Sequence, residues 1–215
     1  MTREPWKITR DMFLSVAEAE ALTRHVARQL ATARESDRHA AAVDQIIIEV
    51  LLYTGLRNTE FCRLTLGDVS LSRDKRVVHV RGTPREDRDV VLSSRLADLL
   101  RNYVAEVRPS CLPDGTSPRD PKAPFVVNER GRAYERTALY RRVVRILTAA
   151  GLGDRASVQL LRHTYGYLAY LRTGGNLLFV QRQLGHAHPM VTSVYAEFVE
   201  HSPFDLADAT DGPRP

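Results

Sequence analysis

Cysteine is nearly absent from this 215-residue chain, which has two, Cys62 and Cys111. They fall in no CxxC or other ligand spacing, which argues against a disulfide framework or a thiolate metal site and leaves two incidental or buried thiols. Long apolar runs are missing as well. The first residues, MTREPWKITRDMF, lack the apolar stretch of a signal peptide, and no run approaches bilayer-spanning length. A cytoplasmic protein without a membrane partner is the expectation. An excess of acid is also lacking: 31 Lys and Arg face 26 Asp and Glu, a net charge of +5. That balance favours an anionic partner such as nucleic acid. Length and an apolar fraction of 43% suit one domain with a sizeable core.

The periodicity predicts a mainly helical α+β fold. Residues 1–12 read as an extended lead-in. Ser15 and Glu18 form a capping box that opens a helix to about residue 34. A second helix over about 39–54 places Val43, Ile46, Ile47, Val50 and Leu51 on one face. Gly55 ends it, and a short helix follows from about 58 to 64. The middle is strand-like: 76–81 (RVVHVR) and 89–92, with a short first strand at 67–71. Between the longer two lies the turn-rich GTPREDR. A small three-stranded antiparallel sheet with a protruding hairpin is therefore expected. Helices should then cover about 94–107, 134–149, 157–173, 176–184 and 189–196, with a Pro- and Gly-rich loop at 109–124. The tail, 201–215, is expected to be partly disordered.

Three segments carry candidate chemistry. In TGLRNTEFCRLTLGDV (54–69), Arg57 and Glu60 stand three apart on one helical face, so a carboxylate can hold an arginine in a phosphate-gripping orientation. In SVQLLRHTYGYLAYL (157–171), Ser157 is a good N-cap, and Gln159 and Arg162 occupy the first turns, where a helix favours an anion. In LGHAHPMVTSVYAEF (184–198), His186 is followed nine residues later by Tyr195, with Pro189 placed to begin a short helix. His186 and His188 have no matching acidic or cysteine ligands nearby, so neither a metal nor a cofactor is expected.

Taken together, TGLRNTEF, LLRHT, VQRQLGH and the spaced tyrosine resemble the tyrosine recombinase family of integrases and Xer-like enzymes over residues 13–200. The resemblance implies that this region is a catalytic domain. It implies that Arg57 and Arg162 grip the scissile phosphate, that His186 donates to it, and that Tyr195 attacks phosphorus to form a 3′-phosphotyrosyl link. Glu60 matches a supporting position. The chain departs from the pattern twice. Gln159 stands where the family has the first histidine of HxLRH, and Thr83 stands where it has the hairpin lysine that protonates the leaving oxygen. Arg85, or less readily Lys75 or Arg81, is a nearby substitute, although an arginine is a poor proton donor.

The arginine-rich stretch 130–147 should form a helix with Leu139, Val143, Ile146 and Ala150 buried. Arg136, Arg141 and Arg145 would lie away from that stripe, with Arg132 at the helix entrance. The bland reading is a solvated basic face; the resemblance favours double-stranded DNA. It also implies a homotetramer on DNA, with a monomer when free. Typical members carry a further N-terminal helical domain, so the chain reads as either a truncated piece or a single-domain protein. Two alternatives stand beside a recombinase: a DNA-binding accessory protein that lost its chemistry through Thr83 and Gln159, and a type IB topoisomerase-like strand relaxer.

Overall fold

The computed structural model describes residues 8–82, 87–188 and 190–199. Eight α-helices and one small sheet account for most of them: α1 (Val16–Thr32), α2 (Glu35–Thr54), α3 (Asn58–Arg63), β1 (Val69–Leu71), β2 (Arg76–Val80), β3 (Arg88–Val91), α4 (Ser94–Asn102), α5 (Arg136–Ala149), α6 (Val158–Arg172), α7 (Leu177–Leu184) and α8 (Met190–Ser193). The strands pair antiparallel in the order β1-β2-β3, with Val69 opposite Val78 and Val78 opposite Val90. The mainly helical α+β architecture read from the periodicity is the one observed. The hairpin tip carrying Thr83 and Arg85 lies outside the described residues, as do Pro189 and the tail after Val199.

Helix α2 is the axis of the core. The pattern predicts one apolar face, but Ile48 and Leu52 are buried along with Ile46, Ile47, Val50 and Leu51. The helix packs against α1, α4, α5 and α6, so little of its last two turns is left for solvent. It also starts four residues earlier than the apolar repeat suggests, at Glu35, because its first turn is polar and acidic. Helix α1 opens on the expected Ser15–Glu18 capping box, which satisfies two N-terminal amides reciprocally.

The Pro- and Gly-rich loop after α4 is exposed but anchored. The guanidinium of Arg108, fully buried, donates to the carbonyls of Pro118, Pro124 and Phe125. Sequence spacing gives no sign of that anchor. A smaller apolar cluster of Ile8, Phe13, Tyr165, Val180, Leu184 and Tyr195 lies beside the main core and seats the segment after α8. No described helix is long and apolar enough to cross a membrane.

Candidate active site

Two glycines bend the chain where the site is built. Gly55, the C-cap of α2, has φ 64°, and Gly185, the C-cap of α7, has φ 63°. Any other L-residue is strained there. A Cβ at 55 would also fall 2.6 Å from Leu184 and Tyr165, and one at 185 would fall 2.8 Å from Arg88. These turns bring the carbonyls of Gly55 and Leu184 to the guanidinium of Arg162, which donates to both. Arg162 rises from the first turns of α6, whose N-terminus Ser157 caps. Burial, then the charge of Arg57, lowers its pKa to about 9. It therefore stays cationic at neutral pH.

Arg57 precedes α3. Its guanidinium meets Glu60 Oε1 at 2.6 Å, while its own N–H donates to Glu60 Oε2 at 2.7 Å. The second partner of Glu60 is Arg88 from β3, which binds both carboxylate oxygens at 2.9 and 3.0 Å. Arg88 also donates through Nε to the Gln183 carbonyl at 3.0 Å. One carboxylate thus holds the sheet, α3 and the end of α7 together. Burial opposes its ionisation, but the hydrogen bonds and charges of Arg88 and Arg57 outweigh that and hold Glu60 at about 2. Arg88 was not among the residues singled out from the sequence. Its only signal was an arginine at the end of GTPREDR, and its partner is 28 residues away.

Tyr195 follows α8 and is 1% exposed. Its ring lies over Gly166 of α6, where a Cβ would overlap it. Its hydroxyl is 3.1 Å from His163 Nδ1. Burial, only partly offset by Arg162, pushes the phenol up to about 12. His163 is itself buried, and its pKa is pushed down to about 4 by burial and then by Arg162. On the other side of that ring, Gln159 Nε2 lies 2.9 Å from His163 Nε2. The three side chains form a line, Gln159–His163–Tyr195, along one face of α6. Spacing had already placed Gln159 and Arg162 in these turns, but gave His163 no role.

His186 sits just past Gly185. Its Nδ1 is 2.8 Å from the hydroxyl of Thr192, a fully buried residue of α8, and its backbone carbonyl accepts from Gln181 at 3.2 Å. Those contacts set the ring's orientation beside the turn whose carbonyl Arg162 holds. Arg57, Arg162, Glu60, His186, Gln159 and Tyr195 therefore come from three separated segments to one region. Among the described residues, no group of His, Cys, Asp or Glu is arranged to hold a metal.

The basic helix α5 starts beside this region, since Asn58 Nδ2 donates to the Arg136 carbonyl at 3.1 Å. Its buried stripe is Leu139, Val143, Ile146 and Leu147; Leu147 takes the place expected for Ala150, which is only half-buried. Arg132, Arg136, Arg141 and Arg145 are all exposed. They are not equivalent. Arg145 is bound to Asp44 at 2.9 Å, alongside Arg142, which reaches the same carboxylate at 2.5 Å. Arg136 and Arg141 form no ion pair with any described residue.

The profile of the Phage integrase family matches residues 20–201. A tyrosine recombinase of Pseudothermotoga lettingae is 33% identical over 162 residues, covering 75% of this chain and 52% of the relative. The tyrosine recombinase XerD of Lacticaseibacillus casei is 30% identical over 152 residues, covering 71% and 49%. The chain thus spans about half the length of these relatives. The fold is similar to that of the XerH site-specific recombinase in a pre-cleavage complex with its difH substrate, with TM-score 0.71, 22% identity, and coverage of 96% of this chain and 55% of that one. With the motif order, the fold and the family profile in agreement, this chain belongs to the phage integrase family.

Proposed function

We propose that this chain is the catalytic domain of a site-specific DNA recombinase that cuts and rejoins strands through a 3′-phosphotyrosyl intermediate on Tyr195. The observation that carries the reading is the convergence of Arg57, Arg162 and Tyr195 from distant segments, with Arg162 acting electrostatically on the Tyr195 hydroxyl and within reach of the Arg57 charge. One cation acting on the hydroxyl, with a second close to the first, suits an in-line displacement at a phosphodiester. As phosphorus becomes five-coordinate, charge grows on its nonbridging oxygens, and preorganised guanidiniums stabilise that charge more than the ground state. His186 adds a third donor. Glu60 keeps Arg57 and Arg88 oriented without touching the phosphate. The energy of the broken bond stays in the phosphotyrosyl link, so the reverse step needs no other source.

In the described conformation Arg162 donates to two backbone carbonyls, and Tyr195 is shielded. Those two bonds use two of the five guanidinium N–H donors and leave the others for a phosphate, whereas attack by the buried Tyr195 needs the segment around it to shift. The substrate is double-stranded DNA, contacted mainly at phosphates by α5. The working assembly is a homotetramer on two DNA sites that is monomeric when free. The XerH relative's capture in complex with its DNA substrate supports the choice of substrate.

The test is covalent trapping on a pool of nicked, randomised duplexes. The nick lets the cleaved fragment diffuse away, so a slow enzyme still accumulates. An SDS-resistant adduct that vanishes in Tyr195→Phe is the expected result. Salt-sensitive DNA binding with no adduct would instead make the chain an accessory binding module.

A further inference from the structure

Attack by Tyr195 requires its proton to go somewhere, and the residue standing where the family pattern has a histidine is Gln159, which cannot take it. We infer that His163, one turn further along α6, is the general base for Tyr195 and that Gln159 positions it. This rests on Tyr195 being the nucleophile.

The geometry carries the assignment. His163 Nδ1 is 3.1 Å from the Tyr195 oxygen, within the reach a base needs for the proton it abstracts. The contact is inside the protein, where water does not compete for the proton. The opposite ring nitrogen is engaged by Gln159 at 2.9 Å. An amide serves either tautomer of the ring. With its NH2 toward Nε2, the ring proton sits on Nδ1 and points at the tyrosine oxygen. Turned by half a rotation, its carbonyl accepts from Nε2–H and leaves the Nδ1 lone pair facing the tyrosine O–H. The second arrangement is the reactive one. A histidine at 159 would also offer one donor and one acceptor, but only by changing its own tautomer. Of the two histidines in the HxLRH pattern the chain keeps the second, His163, and the position of the first holds the glutamine that orients it.

The transfer balances simply. The O–H bond of Tyr195 breaks as the bond from its oxygen to phosphorus forms. The proton goes to His163 Nδ1, giving an imidazolium with Nε2–H on the Gln159 carbonyl. The P–O5′ bond breaks, and the 5′-oxygen takes its proton from solvent water, leaving hydroxide. On rejoining, hydroxide takes the proton of the 5′-hydroxyl as the P–O5′ bond re-forms, the bond from phosphorus to the tyrosine oxygen breaks, and Nδ1–H returns its proton to that oxygen. In the closed site the ring is a weak base, because burial and the Arg162 charge hold it neutral. A phosphodiester seated between the arginines and the ring would bring negative charge and offset Arg162, raising the basicity when it is needed.

The test uses the duplex recovered from the nicked-duplex trap and follows single-turnover adduct formation from pH 3.5 to 9, a range that begins below the lowered pKa of the closed site. His163→Asn keeps a hydrogen-bonding atom near the Nδ1 position without a usable base. Adduct formation should fall by about 10²- to 10⁴-fold with DNA affinity unchanged. The wild-type rate should level off as the imidazole becomes neutral, whereas the variant's should keep rising with hydroxide. Gln159→Leu, which leaves His163 in place but unsupported, should slow cleavage and displace the levelling point. Its profile decides the matter if His163→Asn does not fold. A His163→Asn rate within about threefold of wild type, with the same profile, would overturn the assignment; a faster rate would too, by showing that His163 restrains Tyr195 instead. Wild-type protein forming no Tyr195 adduct would remove the nucleophile reading itself, and this inference with it.

Discussion

Glu60→Gln should separate the structural role of the site's carboxylate from its chemistry. The substitution keeps the shape and one acceptor oxygen but removes the charge that the guanidiniums of Arg57 and Arg88 share. Holding Glu60 at about 2 against an ordinary 4.5 corresponds to about 3 kcal/mol of folded-state stabilisation at neutral pH, at about 1.4 kcal/mol per tenfold. Breaking a buried ion pair from one side typically costs about 3–5 kcal/mol, so the two estimates agree. A carboxylate whose folded pKa is depressed contributes fully above its unfolded value. That contribution is lost as pH falls through the folded one. The stability gap between wild type and variant should therefore be about 3 kcal/mol at pH 7, shrink to about 1 kcal/mol at pH 3, and nearly vanish at pH 2. Urea unfolding of both proteins across that range measures it. A gap that stays constant from pH 7 to pH 2.5 would refute the reasoning, because the Glu60 charge would not then be what holds Arg57 and Arg88.

Two further predictions address packing and DNA. Gly166→Ala places a methyl against the Tyr195 ring, which should cost about 1–3 kcal/mol through overpacking and increase hydrogen exchange in the 190–199 segment; unchanged exchange there would mean the ring is not seated on α6. Arg136→Ala and Arg141→Ala should each weaken binding across DNA sequences and lower the salt slope by roughly one. Arg145→Ala should do so less, since Asp44 already engages that side chain; equal slopes for all three would show that the Asp44 pair opens on DNA.

Much of the fold was legible because it is local. The Ser15–Glu18 box, the β-branched strands and the apolar repeats of α2 and α5 are spacings of a few residues, and short-range sterics and hydrogen bonding act on those directly. The candidate site was legible for a different reason. Arg57, Arg162, His186 and Tyr195 each sit in a short motif, and the order of the motifs narrowed the family even though their distances in space were unknown. Arg88 escaped notice because its partner, Glu60, lies in another segment and no periodicity links them. His163 escaped because half of its meaning depends on a tyrosine 32 residues later.

The sequence by itself determined the helical plan, the small antiparallel sheet, the identity of the candidate nucleophile and the arginines, and the two departures at Thr83 and Gln159. Tertiary structure alone decided which groups share a charge and which share a proton. It tied Arg145 to Asp44, gave Glu60 two arginines, buried Tyr195 over Gly166 and set His163 against its hydroxyl. The physical reason is that ion pairing, desolvation and proton transfer act over a few ångströms between atoms. Only the packed chain brings residues far apart in sequence within that range.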